Sequence, residues 1–283
     1  MHHFLILGGD LRQRYLGHIL KQSEPNVTEY YEYSPSFSLS QAMEDCDIIL
    51  CPVPFSRDGQ TLFFNPPQAG IEIPAFLKCL KKGHILFGGV LPSVVSDHCS
   101  SHAIPCFDFM EMEEVACKNA VATTEGAIAE AISLSRKNLC QSSSLVLGWG
   151  RCAQVLADRL KGLGAHVTAA ARDQRKLASA CALNCDTLPL SSLEARVHRF
   201  DFIFNTVPAM VLDASVIRHL KPETIIIDIA SAPGGTDFEA CSRQNIRAKL
   251  CPGLPGLYAP LSSAEILCEV VTGQLSERSP LWN

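Results

Sequence analysis

No apolar run in the 283-residue chain reaches the length of about 18 residues that a membrane-crossing helix requires. No basic cluster stands out against a net charge of −5. The first absence argues against a membrane anchor, the second against nucleic acid or an anionic membrane surface as partner. The amino-terminal apolar stretch, Phe4-Leu5-Ile6-Leu7, is too short for a secretory signal and reads as a first strand. No Cys-x-x-Cys occurs among the 13 cysteines. Most lie in apolar surroundings, where a thiol behaves as a small hydrophobe. A reducing, cytoplasmic compartment without disulfides is therefore expected. Cys181 and Cys185 with a histidine come nearest to a zinc site, but the ligand pairs are missing and no metal is expected. There is no Gly-x-Ser-x-Gly and no Ser-His-Asp set that can be placed. His84, His98, His102, His166, His198 and His219 lack partners at informative spacing, so no catalytic histidine is named.

What is present is alternation. Short apolar runs at Phe4–Leu7, Thr28–Tyr33, Ile48–Cys51, Ile85–Phe87 and Ile104–Phe107 are separated by amphipathic stretches such as Arg12–Leu20, Ala75–Leu80 and Ser93–Asp97. The pattern resumes with strands at Ser144–Leu147, His166–Ala170, Phe202–Asn205, Ile225–Asp228 and Ala248–Cys251. Helices at Cys152–Leu163, Gln174–Ala180, Ala214–His219 and Phe238–Gln244 lie between them. Strand–helix–strand repetition predicts parallel sheets covered on both faces, hence an α/β chain of two doubly wound domains. A long helix is expected over Thr123–Leu139, capped by Thr123 or Thr124 with Glu125 in its first turn. Pro252–Pro260 is too rich in proline and glycine for a helix, and a helical run over Ser262–Leu275 is expected to return to the first domain. The expected division is 1–122 with 261–283, and 123–260, the two joined by helical crossings with a cleft between them.

Leu145-Val146-Leu147-Gly148-Trp149-Gly150-Arg151-Cys152-Ala153 places Gly-x-Gly-x-x-Ala between a strand and a helix. Gly148 permits the tight turn, Gly150 lets backbone approach a pyrophosphate, and Ala153 stands where the third glycine lets helix and strand pack. The pyrophosphate would rest on N–H groups of the helix N-terminus, so a Rossmann-like dinucleotide site is expected. Where an acid usually binds the adenine ribose, the chain reads Ala169-Ala170-Ala171-Arg172. Arginine pairs with a 2′-phosphate, and Arg151 and Arg175 could add charge, so NADP is preferred to NAD. Asp173 stands one residue late, and capping of the helix starting near Gln174 is its preferred role.

Three further loops follow strands of the second domain: Asn205-Thr206-Val207-Pro208, Asp228–Asp237, and Pro252–Pro260. Ligands of open α/β sheets bind beyond this edge. Asn205, Thr206 and Pro208, with Val207 between them, are expected near the nicotinamide ribose, and Asp228 and Ser231 facing nicotinamide or substrate. In the first domain, Gly8-Gly9-Asp10 precedes Arg12 and Gln13, with Asp10 as a helix cap and Arg12 or Gln13 available to an anionic ligand. Pro52 and Arg57 follow the strand Ile48–Cys51 and are further candidates, while Arg12 and Arg14 fit a solvated helix face as well.

These motifs, with Thr124-Glu125-Gly126, Pro233-Gly234-Gly235-Thr236-Asp237-Phe238 and Pro252-Gly253-Leu254-Pro255-Gly256, resemble the dipicolinate synthase A-subunit family of endospore-forming bacteria over nearly the full length. The last two are the specific ones. Ala153 in place of the third glycine, and the C-terminal helix around Glu265, depart from the family pattern. The resemblance implies two Rossmann-like domains and a smaller flavoprotein-like partner, the B-subunit of dipicolinate synthase. It also implies dehydrogenation of a dihydrodipicolinate-type product of the lysine pathway to dipicolinate, in the mother-cell cytoplasm during sporulation, with a nicotinamide cofactor as hydride acceptor. Thr124 and Glu125 would then contact the substrate carboxylates or relay the proton, and Arg12 would pair with a carboxylate. A nucleotide-binding partner or regulator of that B-subunit with little chemistry of its own is the alternative, and self-association into a homo-oligomer stays open.

Overall fold

The computed structural model describes residues 2–31, 38–66 and 70–278. The chain forms two compact units, Met1–Lys118 with Ala259–Asn283, and Asn119–Tyr258. The first contains β1 (Phe4–Leu7), α1 (Leu11–Ser23), β2 (Val27–Tyr30), α2 (Leu39–Glu44), β3 (Ile48–Leu50), α3 (Ile73–Cys79), β4 (Ile85–Gly88), α4 (Ser93–Ser101), β5 (Cys106–Asp108) and the start of α5 (Glu113–Leu134). Its sheet is wholly parallel, in the order β2-β1-β3-β4-β5. Of the strand expected over Thr28–Tyr33, Glu32 and Tyr33 lie outside the described residues.

The second unit continues α5 and adds β6 (Ser143–Leu147), α6 (Arg151–Gly162), β7 (His166–Ala171), α7 (Gln174–Ala182), β8 (Asp186–Pro189), α8 (Leu193–Arg196), β9 (Phe202–Asn205), α9 (Ala214–Ile217), β10 (Ile225–Asp228), α10 (Phe238–Arg243), β11 (Arg247–Leu250) and α11 (Leu254–Tyr258). Its parallel sheet runs β11-β10-β9-β6-β7-β8, so the strand order reverses between β6 and β9. Both sheets are doubly wound, as the alternation predicts.

Period-two burial explains the layers. In β1, Phe4 and Ile6 join a cluster with Leu16 and Leu20 of α1, while Leu5 and Leu7 join the opposite one with Phe76 of α3 and Val95 of α4. The last helix, α12 (Pro260–Arg278), returns to this unit and buries Ala264, Leu267, Val270 and Val271 against the α1 side. In β10, Ile225 and Ile227 face α5 and α6, while Ile226 faces α9 and α10. No described helix is long and apolar enough to cross a membrane.

Two expectations are corrected. The long helix begins at Glu113, not at Thr123, because Glu113–Ala122 contains no breaker and Glu113 and Glu114 suit its positive end. Thr123 and Thr124 therefore do not cap: their hydroxyls donate back to the Asn119 and Val121 carbonyls at 2.8 and 2.9 Å. The segment after β11 does hold a short helix, α11, because Pro255 falls in its first turn, where no N–H is needed. Edge strand β8 was not expected; it is short and ends on Pro189, which an edge tolerates.

His84, 1% exposed, immediately precedes β4. Its Nδ1 accepts from Lys81 N and its Nε2–H donates to the Met43 carbonyl at 2.8 Å. Burial holds this imidazole below its ordinary value, the Met43 bond opposing in part. The unfolded state therefore takes up a proton that the folded state refuses, so the stability is present above about pH 6.5 and lost as pH falls below it. Urea midpoints measured from pH 7.5 down to about pH 5 are expected to fall more steeply for the wild type than for His84→Gln. Parallel curves would remove His84 from the acid response.

Candidate functional site

The second unit gathers its turns at the β6–β9 reversal, where the chain leaves neighbouring strands in opposite directions and opens a crevice. Leu147 pairs with Asn205 at this point. Gly148 follows with φ +94°, and its N–H donates to the Ala170 carbonyl at 2.8 Å. Thr206 leans against it: its N–H and its hydroxyl both donate to Leu147 O, at 3.0 and 2.8 Å. A Cβ on Gly148 would lie 2.4 Å from Thr206 Oγ1. Gly150 begins α6 without a side-chain cap, and among the described residues nothing stands within 4 Å of where its Cβ would be. Ala153, fully buried, lets α6 settle onto the sheet. A turn that is filled below by Thr206 and open above at an uncapped helix N-terminus fits a pyrophosphate.

Trp149, between the glycines, was not singled out from the sequence. It is 4% exposed, packs in the α5–α6 core and donates Nε1–H to Ser179 Oγ of α7 at 3.3 Å. It ties the turn to the helix after β7. Arg151 at the start of α6, Arg172 just after β7 and Arg175 in the first turn of α7 are exposed. Asp173 caps α7 as expected, accepting from Arg175 N at 2.8 Å, and this bond and the Arg175 side chain hold its carboxyl below the usual range. Cys152 lies in the first turn of α6.

The loops after β9 and β10 are self-bound. Asn205, fully buried, accepts from Val207 N and donates to Val207 O, shaping the turn that carries Val207 and exposed Pro208. Asp228 is expected from the sequence to face nicotinamide or substrate, but its carboxylate is turned into its own loop. Its Oδ1 accepts from Ala230 N at 3.0 Å, and its Oδ2 from Gly235 N at 2.9 Å and Thr236 Oγ1 at 2.8 Å. The carboxylate is the hub of its own loop. Ser231, in that loop, is exposed, and its carbonyl accepts from Gly234 N.

Thr124 and Glu125 do not join these turns, because α5 starts ten residues earlier than expected. Thr124 is fully buried in mid-helix. Glu125 faces the far end of α6, Asp158–Leu163, at the edge opposite the glycine turn. The neighbouring Gly126 has a packing role: a Cβ there would meet Tyr258 and Leu254 of α11 at 2.9 and 3.1 Å. Glu130, 5% exposed, then receives Lys249 Nζ at 2.7 Å, and Arg247 Nη1 donates to the Leu134 carbonyl at 2.6 Å. Lys249 holds the Glu130 carboxyl below its ordinary value. These bonds strap edge strand β11 and α11 to α5. The sequence motifs around Gly126 and Pro252–Gly256 thus mark one packing joint.

The first unit has its own reversal, between β1 and β3, and fills it with its own side chains. Asp10 caps α1 by accepting from Arg12 N at 3.0 Å. Arg12, 7% exposed, was expected to await a substrate carboxylate. Its guanidinium instead pairs with Asp10 at 2.8 Å and donates to the Val53 carbonyl. Gln13, 1% exposed, covers Gly9 and donates to the Cys51 carbonyl at 2.7 Å. Both bridge the loops after β1 and β3, where Pro52 is buried, so they close the crevice because their donors reach main-chain carbonyls across it. Arg57 is exposed and stacks on Phe63 at 3.9 Å, and Arg14 lies 5.2 Å from the Tyr31 ring.

Residues 3–110 match the family profile of the dipicolinate synthase A-subunit N-terminal domain, and residues 115–234 match that of the D-isomer specific 2-hydroxyacid dehydrogenase, NAD binding domain. The second unit is therefore of the nicotinamide-dinucleotide-binding dehydrogenase class. The chain is 33% identical over 193 residues to the dipicolinate synthase A-subunit of Bacillus subtilis (strain 168), 68% of this chain and 65% of that protein. The aligned part thus spans slightly less than two thirds of the curated relative. The crystal structure of the dipicolinate synthase A chain from Bacillus subtilis superposes with a TM-score of 0.86 at 26% identity, covering 98% of this chain and 96% of that one. That of the dipicolinate synthase A-subunit from Bacillus halodurans gives 0.84 at 26%, covering 97% of each. With its amino-terminal profile, a curated relative and full-length structural likeness in agreement, the chain belongs to the dipicolinate synthase A-subunit family.

Proposed function

We propose that the protein is an NADP-dependent oxidoreductase that forms dipicolinate from a dihydrodipicolinate-type dicarboxylate, acting with a B-subunit in the cytoplasm of a sporulating mother cell. The observation that carries the reading is the glycine turn at the β6–β9 reversal, filled below by Thr206 and open above at the uncapped start of α6. Gly148, Gly150 and the first turn of α6, with Arg151, Cys152 and Ala153, would hold the pyrophosphate; Asn205–Pro208 would border the nicotinamide ribose. The bound cofactor supplies a hydride acceptor, so the substrate ring loses a hydride and a proton and becomes aromatic. The chain's part is to orient the ring and exclude water. Arg172 and Arg175, with no acid at the strand end, favour a 2′-phosphate.

Energy transfer from Trp149 to the reduced nicotinamide gives the test. NADPH is expected to bind more tightly than NADH, and Arg172→Glu to cost NADPH about tenfold or more, about 1.4 kcal/mol, while sparing NADH. Tighter binding of NADH by the wild type would remove the NADP preference, and binding of neither would remove the oxidoreductase reading.

One observation favours the second reading, a nucleotide-binding partner or regulator of the B-subunit. Asp228 and Asn205, the buried polar groups at the described strand ends of this unit, are both engaged by their own loops. Ultraviolet absorbance of the pyridine product separates the two. Turnover by this chain alone with substrate and NADP supports the enzyme; turnover confined to the pair supports the partner.

A further inference from the structure

Three thiols of the first unit gather on one face of its sheet. Cys51 follows β3 and still pairs with the sheet, its N–H donating to the Phe87 carbonyl at 2.7 Å. Cys106 opens β5 beside Leu86, which in turn lies beside Ile49, two residues before Cys51. Alternate residues of a strand share a face, so Cys51 and Cys106 point to the same side. Helix α4 covers that side. Its Cys99, 0% exposed, belongs to the cluster that holds Cys51 and Ile104, with Cys106 packed against it. Between Cys99 and Cys106 the chain folds back: Ala103 turns at φ +54°, and Ile104 N donates to the Cys99 carbonyl at 2.9 Å. The reversal brings the two thiols into hydrogen-bond contact, Cys106 donating S–H to the Cys99 sulfur.

This contact suits dithiol chemistry. The bond from Cys106 holds the Cys99 thiol below its ordinary value and raises that of Cys106, so the first proton leaves Cys99. Cys106 is half-buried while Cys51 and Cys99 are wholly buried, so a small oxidant reaches Cys106 first. We propose that Cys99 and Cys106 are a modification site, forming a reversible disulfide when the protein meets a peroxide. Cys106 passes its proton to the Cys99 sulfur and attacks one peroxide oxygen. The O–O bond breaks, and the departing hydroxide takes up the proton that Cys99 had released. The Cys99 sulfur then attacks the Cys106 sulfenic acid, the S–S bond forms, and the hydroxyl leaves with the Cys99 proton as a second water. Two thiols lose two electrons, and one hydrogen peroxide becomes two waters. In a reducing compartment such bridges are transient and serve as redox sensors. The bridge closes residues 100–105 into a loop and ties α4 to edge strand β5. It stands two residues before Asp108, whose carboxylate accepts from Val90 N and Leu91 N at 3.0 and 2.7 Å. The site lies within the first unit and needs no dinucleotide, so it stands apart from the proposed reaction.

The test is brief exposure of the full-length protein to hydrogen peroxide, alkylation of the remaining thiols in denaturant, and peptide mass spectrometry. The expected product in most chains is a Cys99–Cys106 bridge, two hydrogens lighter than the dithiol, with dithiothreitol restoring both thiols. Cys51→Ala is expected to keep the bridge. Cys99→Ala is expected to lose it and to leave on Cys106 a sulfenic acid that dimedone traps. Alkylated Cys99 and Cys106 after exposure overturn the proposal. So does a bridge from either to Cys51, or sulfinic acid on Cys106 of the wild type in place of the bridge.

Discussion

Gly148→Ala is expected to weaken dinucleotide binding by at least about tenfold, equivalent to about 1.4 kcal/mol or more, with the fold retained. Two costs combine. At φ +94° an alanine is strained, by about 1–2 kcal/mol for a left-handed non-glycine residue. Its Cβ would also stand 2.4 Å from Thr206 Oγ1 and 3.1 Å from Val207 Cγ2. Thr206 cannot withdraw cheaply, because its hydroxyl and N–H both hold the Leu147 carbonyl. The turn must move, and with it the start of α6. Titration of NADPH by energy transfer from Trp149 measures the loss, and circular dichroism checks the fold. An affinity within twofold of wild type would show that this turn does not receive the pyrophosphate.

Asp228→Ala is expected to destabilise the second unit by about 3–5 kcal/mol, at the upper end for a single substitution. The side chain is fully buried and accepts three hydrogen bonds, from Ala230 N, Gly235 N and Thr236 Oγ1. Bonds to a charged acceptor contribute about 1.5–3 kcal/mol each, and truncation leaves their donors buried without partners. The damage spreads, since the Gly235 carbonyl accepts from Val211 N and Leu212 N of the loop after β9. Asp228→Asn keeps one oxygen but turns an amide N–H toward the Gly235 N–H, so about half the loss is expected. Urea midpoints at constant slope give the value. A change below about 1 kcal/mol would show that the loop does not depend on this carboxylate.

The two substitutions also separate what was legible from what was not. Gly148 could be read directly, because a glycine between an apolar strand and an amphipathic helix has few other uses. The capping role of Asp173 was equally readable, since a cap acts within three residues of its own helix. Asp228 was found as a polar strand end, but its direction was not, because its partners lie up to eight residues away in a loop whose path no periodicity reports. Arg12 misled for the same reason. An arginine beside a glycine turn reads as an anion donor until the Val53 carbonyl, 41 residues away, is seen to occupy it. Thr124 and Glu125 were misplaced by a boundary: the residues before them suit a helix as well as those after, so nothing local marked where it began. Trp149 and Lys249 carried no signal, because their partners, Ser179 and Glu130, are brought to them only by the fold.

The order of apolar and amphipathic stretches by itself determined two parallel, doubly wound sheets and the position of the glycine turn before α6, since period and glycine placement are local properties of the chain. Only the tertiary structure decided which of two similar strand-end crevices stays open. In the first unit Arg12 and Gln13 reach across to the carbonyls of Val53 and Cys51 and close it. In the second, Thr206 fills the floor and no described atom stands within 4 Å of where a Gly150 Cβ would be. The difference rests on hydrogen bonds between loops far apart in sequence, which form only after the strands have paired.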